Sequence, residues 1–258
     1  MNKPAEIRQH IREGVWTGPT TGLAQAYAQA NLVILDSRYA FDFLLFCVRN
    51  PKPCPILEVL EPGVFEPHRV AKQADIRKDI PLYRIWENGR TYQEVTDIST
   101  VFNAGMASFL LGCSFSFEGA LMGAGIPIRN IEEGKNVSMY ITNRRCEPTG
   151  PFSAPLVVTM RPIPHEMVSR AVQITSRYAS VHGAPIHIGD EKVLGITDLS
   201  KPDFGDPVTV KVGETPVFWA CGVTSTLAVL SAKPSLCISH APGFMFITDV
   251  LNEHLAVI

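Results

Sequence analysis

Apolar residues at three- and four-residue spacing mark helices in this chain, and short β-branched runs mark strands. A helix is expected over Glu6 to Arg12, with Pro4 tolerated in its first turn, and Thr20 or Thr21 caps a second helical segment running to about Leu32. Asp36 caps the next, in which Tyr39, Phe41, Phe43, Leu44, Phe46, Cys47 and Val48 crowd much of a helix surface until Pro51 and Pro53 stop it. Such a helix is expected to be mostly buried. Ile56 to Leu60 reads as a short strand, and Leu82 to Trp86 with Thr91 to Val95 flank Asn88-Gly89, a pair suited to a hairpin turn. Val137 to Thr142 and Leu156 to Met160 read as strands of one sheet. Pro164 opens a helix to about Val181, with Gly183 available to close it. Extended runs follow at Ile186 to Ile188, Val193 to Ile196, Val208 to Val212 and Val217 to Ala220, then a helix near Thr224 to Ser231 and strands around Leu236 to Ser239 and Phe244 to Thr248.

Strands alternating with helices predict an α/β fold: a layered α/β domain with a mixed sheet. No internal repeat or low-complexity linker stands out, so residues 1–258 are expected to form one unit. Any second lobe would be a smaller inserted α+β portion around 115–165 rather than an appended domain. A chain of 258 residues, 46% hydrophobic and 19% charged, can bury a sizeable core. With 23 basic against 25 acidic residues it has no global positive field, so nucleic acid is not an expected partner. Its longest clean apolar stretch, Phe43 to Val48, is far shorter than a bilayer span, and no membrane association is expected. The segment Met1 to Glu6 lacks the apolar core of a signal peptide, which makes the cytoplasm the expected location. The six cysteines include no C-x-x-C pair, so neither a disulfide framework nor a zinc site is expected.

Four groups of residues could carry chemistry. The densest is Gly112-Cys113-Ser114-Phe115-Ser116-Phe117-Glu118, a thiol, two hydroxyls and a carboxylate beside an expected helix start, where free backbone N–H groups attract anions. The structural alternative is that Ser114 or Ser116 caps the helix and Cys113 is a small buried hydrophobe. The segment fits neither G-x-S-x-G nor a dinucleotide fingerprint, and no Walker lysine follows it. A second group contains Arg129, Asn130, Arg144, Arg145 and Arg161; Arg129 and Arg161 adjoin prolines at element ends, where a fixed guanidinium can grip a carboxylate, although a surface ion pair is the ordinary fate of one arginine. His182 and His187 are separated by Gly183 and Pro185, which excludes a helical zinc motif and leaves a loop-borne site with Asp198 weakly supported. Either imidazole could be a general acid or base, or a hydrogen-bonded structural group. Cys221 lies between an expected strand end and a helix start, and His240-Ala241-Pro242-Gly243 is a turn after a strand; both suit a cleft edge.

These segments, together with Arg49-Asn50-Pro51, Asp75-Ile76-Arg77-Lys78-Asp79-Ile80-Pro81, Gly183-Ala184-Pro185-Ile186-His187-Ile188-Gly189 and Phe218-Trp219-Ala220-Cys221-Gly222-Val223-Thr224, resemble the hydro-lyase family of D-glutamate cyclase type over most of the chain. The resemblance implies an α/β fold with a smaller α+β portion and the conversion of D-glutamate to 5-oxo-D-proline and water. It supplies no residue roles, so these rest on chemistry. Lactam formation needs a base, an oxyanion site and an acid. Ser114, Ser116 and nearby N–H groups are expected to receive the reacting carboxyl, with Glu118 as acid or base. Arg129 or Arg161 would hold the α-carboxylate, with Asn130, Cys113 and Cys221 lining the substrate, and His187 or His240 would be the second proton-transfer group. No metal or organic cofactor is required. The partner is a small carboxylate or amino acid, and a homodimer is the base-rate expectation. A different hydro-lyase substrate and a non-catalytic carboxylate-binding role remain as alternatives.

Overall fold

In the computed structural model, which describes residues 3–257, the first part of the chain forms α1 (Pro4–Arg12), β1 (Tyr27–Asp36), α2 (Ala40–Arg49), β2 (Ile56–Leu60), the hairpin β3 (Tyr83–Glu87) and β4 (Arg90–Val95), β5 (Met106–Gly112), α3 (Phe115–Gly123), α4 (Arg129–Glu132) and β6 (Ser138–Arg145). The remainder forms β7 (Pro155–Pro164), α5 (Val168–Ser176), β8 (His187–Ile188), β9 (Glu214–Ala220), α6 (Val223–Ala232), β10 (Cys237–His240) and β11 (Phe246–Leu251). The fold is mixed α/β. One sheet has the order β2-β5-β1-β10-β3-β4, with β11 also pairing to β1, and the other has the order β6-β7-β9-β8. The strand pairings are antiparallel. β1 and β2, joined through α2, run parallel but are separated by β5, which is antiparallel to both. Residues 115–165 carry α3 and α4 and then β6 and β7 of the second sheet.

The topology contains a repeat that the residues do not advertise. The series β1-α2-β2-β5-α3-β6 is matched by β7-α5-β8-β9-α6-β10, and the pairing order β2-β5-β1-β10 is matched by β8-β9-β7-β6. In each half the last strand leaves its own sheet and pairs with the first strand of the other half: β6 with β7, β10 with β1. The registers superpose as well. Ala30 faces Gly112 as Val158 faces Ala220, which makes Cys113 equivalent to Cys221 and Asn31 equivalent to Thr159. The hairpin β3–β4 and the long loop between β8 and β9 occupy corresponding places in the two halves.

Several elements follow the expectation. The Asp36 side chain accepts from Arg38 N–H at the entry to the α2 region, and Asn88 and Gly89 both adopt positive φ in the hairpin turn. Others are corrected. The helix expected from Thr20 or Thr21 to Leu32 is a turn followed by β1, a strand buried along nearly its whole length because it pairs on both edges and is covered on both faces. α2 is only part-buried: Phe43, Phe46 and Cys47 face the core while Phe41 and Val48 face solvent. The helix after Pro164 stops at Ser176, and a separate 3-10 turn covers Ala179–Val181. Val193 and Leu194 lie in a 3-10 turn capped by Asp190 and followed by Gly195 and Ile196, and Val208 to Val212 makes no regular strand. Among the described residues no helix is long and apolar enough to cross a membrane.

Candidate active site

The end of β5 and the end of β9 each turn directly into a helix, and both turns line one cavity. Gly112 is required at the first turn: a Cβ there would lie 2.5 Å from Val181 Cγ1 and 3.0 Å from the Ser180 carbonyl. The next residue on each side is a cysteine, and Cys113 and Cys221 both line the cavity. The first N–H groups of a helix have no partner inside it and carry partial positive charge. Here Phe115 N–H points to the Cys113 thiol and Val223 N–H to the Cys221 thiol, each favouring the thiolate, but burial dominates and pushes the thiols up to about 12 and about 11. Both are therefore neutral at physiological pH.

Two histidines enter the same cavity with opposite hydrogen-bonding roles. His182 follows the 3-10 turn over Ala179–Val181, adopts φ 85°, and is 1% exposed. Its Nδ1 lies 2.5 Å from the Lys52 carbonyl, which can only accept, so Nδ1 carries the proton and Nε2 carries a lone pair. That Nε2 has no hydrogen-bond partner. His240, at the end of β10, is the reverse: Leu32 N–H donates to its Nδ1 at 3.2 Å, which leaves the proton on Nε2. Burial lowers both imidazoles to about 4, so both are neutral at pH 7. His182 is thus a hydrogen-bond acceptor and His240 a donor.

Beneath the α3 side lies Arg161, fully buried on β7. Its Nε donates to Glu118 Oε1 at 3.0 Å and its Nη2 makes a second contact with the same oxygen; Nη1 donates to Thr159 Oγ1 at 3.0 Å and Nη2 to Ser114 Oγ at 3.1 Å. The guanidinium also packs against the rings of Phe117 and Trp219. Ser114 and Thr159 both line the cavity. Because Ser114 Oγ accepts from a cation, its own O–H is polarised and free to donate elsewhere.

The model of the family described as D-glutamate cyclase matches residues 107–249. The chain is 73% identical to a protein of Syntrophobacter fumaroxidans named "Putative hydro-lyase", over 100% of this chain and 99% of that one. It is 58% identical to a protein of the same name from Stutzerimonas stutzeri, over 99% and 96% of the two chains. The chain belongs to the D-glutamate cyclase family.

The family match spans the cavity residues from Cys113 to His240, while Asn31, which also lines the cavity, lies before it. The candidates chosen from sequence divide into those at the cavity and those elsewhere. Cys113, Ser114, Cys221 and His240 line it, and Glu118 and Arg161 stand behind Ser114 as a closed ion pair. Ser116 is buried with an unpartnered Oγ beside a different surface hollow formed with Gln25 and Asn252. Arg129 pairs with Glu214 and, at 3.3 Å, with Glu132, while neighbouring Asn130 is buried in α4; neither lines the cavity. His187 lies on β8 with Nε2 2.7 Å from the Asp190 carbonyl and its ring 6.0 Å from that of Phe218. Asp198 pairs with Lys201 and Ser200, and no three histidine, cysteine or acidic side chains gather as a metal site among the described residues. Of the polar cavity residues, Asn31, Asn136 and Thr159 are absent from the sequence-based candidates, and His182 was named beside His187 without a role in the expected reaction. His182 stood in the right segment, whereas Asn31 lay in a stretch read as helix.

Proposed function

We propose that this protein is a hydro-lyase that cyclises D-glutamate to 5-oxo-D-proline and water. Membership of the D-glutamate cyclase family and the hydro-lyase name borne by its relatives support the reaction class. The observation that carries the chemistry is the buried, unpartnered Nε2 lone pair of His182 in a cavity beside a helix start.

The γ-carboxyl group sits at the N-terminus of α3, where the positive end of the helix and the Ser114 hydroxyl stabilise negative oxygen. His182 Nε2 accepts a proton from the substrate ammonium, and the freed amine attacks the γ-carbon. The protonated imidazole, steadied by the Lys52 carbonyl, returns the proton to a carboxyl oxygen. A second transfer from nitrogen to the departing oxygen releases water. Ammonium plus carboxylate becomes lactam plus water with no net proton taken up, so one imidazole suffices. Holding amine and carboxyl in one conformer removes a barrier component worth up to ~7–11 kcal/mol in well-oriented intramolecular reactions. In this reading Glu118 and Arg161 orient Ser114 rather than exchange protons with substrate.

Incubation of the purified protein with D-glutamate, L-glutamate and each 5-oxoproline enantiomer, followed by NMR against a heat-inactivated control, tests the reading. Formation of 5-oxoproline from D-glutamate is the expected result. Absence of conversion in all four incubations overturns it.

A further inference from the structure

Away from the cavity, α3 has a second face. Gly119 and Gly123 are exposed on it with Ala120 and Ala124 half-buried beside them, and these four floor two surface hollows that meet at Ala120 and Tyr178. Neither glycine is explained from within the chain. Neither adopts positive φ, a Cβ at Gly123 would meet nothing within 4 Å, and one at Gly119 would meet only the Gln25 carbonyl at 4.0 Å. Glycine within a helix is destabilising relative to alanine, and what a bare helix surface offers in return is close approach by another body.

The two hollows are opposite in character. The one at the N-terminal half of α3 is lined by Ser116, Gln25, Asn252 and Glu253. Ser116 Oγ and Asn252 Oδ1 are buried there without a hydrogen-bond partner, Asn252 Nδ2 being spent on the Gln25 carbonyl, so this end lacks a donor. Glu253 is exposed and makes no ion pair among the described residues. The hollow at the C-terminal half is lined by Arg170, Gln173 and Arg177, exposed on one face of the chain running through α5. Arg170 has no acidic partner among the described residues, and Arg177 uses its Nε on the Val257 carbonyl at 3.2 Å. Unmet donors thus lie at one end of a bare helix and unmet acceptors at the other. Such a surface is complementary to itself when turned through a two-fold axis.

We propose that a second copy of this chain docks on this face, α3 crossing α3 antiparallel, with Arg170 and Arg177 of each protomer set against Glu253 and Asn252 of the other. Met122, 38% exposed on α3, supplies an apolar side chain to lie over the bare glycines of the facing helix. Ser116, Gly119 and Gly123 do not line the cavity, whereas Ser114, just before α3, does. The contact therefore braces a cavity wall without entering the cavity, whatever reaction occurs there.

Sedimentation velocity of the wild-type protein over a range of micromolar concentrations tests this, with circular dichroism to confirm that each variant is folded. The expected mass is twice that of the chain. Gly119→Leu adds bulk to the floor without a clash at Cβ, and should give a folded monomer. Arg170→Glu and Glu253→Arg should each weaken the dimer about 10-fold or more by setting like charges together. Combined in one chain they should return its dissociation constant to roughly the wild-type value, because a two-fold contact reverses both partners at once. A wild-type monomer, a dimer that Gly119→Leu leaves intact, or a double variant no better associated than its single parents overturns the proposal. Should one variant not fold, the wild-type mass and the remaining variants decide.

Discussion

His182 and His240 face one cavity as opposite tautomers, each fixed by a backbone group: the Lys52 carbonyl receives the Nδ1 proton of His182, and Leu32 N–H occupies Nδ1 of His240. An imidazole with Nδ1 so occupied gains a second proton at Nδ1 only by losing that bond. His240 is thereby held as a donor, while His182 can be protonated at Nε2 without disturbing its anchor.

Exchanging His182 for Asn retains a residue tolerant of positive φ but removes the proton acceptor. Turnover of D-glutamate should fall about 10²–10⁴-fold, chiefly in kcat, with thermal stability within a few degrees of wild type. A wild-type kcat in the folded variant would exclude His182 from proton transfer.

Both imidazoles titrate near 4 in the folded protein, against 6.5 in a free histidine. Between those values the unfolded chain binds more protons than the folded one, so stability is complete above pH 6.5 and declines as pH falls toward 4. The conversion of about 1.4 kcal/mol per unit gives each buried histidine a contribution on the order of 3 kcal/mol across that window. Urea denaturation at pH 7 and pH 4.5 should reveal the loss, and replacing both histidines by Asn should flatten it.

Removing one partner of the Arg161–Glu118 pair leaves a buried charge uncompensated. Glu118→Gln should lower unfolding free energy by about 3–5 kcal/mol, read by denaturant titration. A variant with unaltered stability and abolished kcat would instead assign Glu118 to the chemistry.

Gly112→Ala should destabilise the protein by about 1–3 kcal/mol, because the new methyl meets Val181 and the Ser180 carbonyl. The displaced segment leads directly into His182, so activity should decline further than stability accounts for. Activity assays at a temperature where the variant is fully folded separate the two.

Cys113 and Cys221, held neutral by burial at about 12 and about 11, should react slowly with iodoacetamide at pH 7.5 in the native protein and rapidly once unfolded. Mass mapping of the labelled sites measures this. Rapid native labelling at either position would indicate a thiolate.

The parts of the fold with local signatures were legible in sequence. Asn88-Gly89 sets its hairpin through positive φ, and the extended run Val217 to Ala220, with Val217, Phe218 and Trp219, marks β9. The two strands at the heart of the first sheet were not: β1 was read as helix, and β5 carried no strand signal. Both are buried on both faces, so period-two alternation, the usual mark of a strand, is missing. At the site, the clusters around Cys113, Cys221 and His240 were legible because polar and small residues stand out against apolar neighbours at element ends. The choice between His182 and His187 was not, since it depends on a left-handed backbone at His182 and on a carbonyl contributed 130 residues away in sequence. The inward turn of Arg161 toward Glu118 is similarly a property of assembled sheets.

The exchange of β6 and β10 between the two halves bears on how the protein is made. Val33 meets Ser239 only after the long stretch of chain between them has been made, and this pairing seats His240 beside Leu32. A nascent chain that has not reached β10 therefore lacks one wall of the cavity, and neither half closes its sheet without the other. The cavity is completed in a late, long-range closure, which ties it to the slowest contacts of folding.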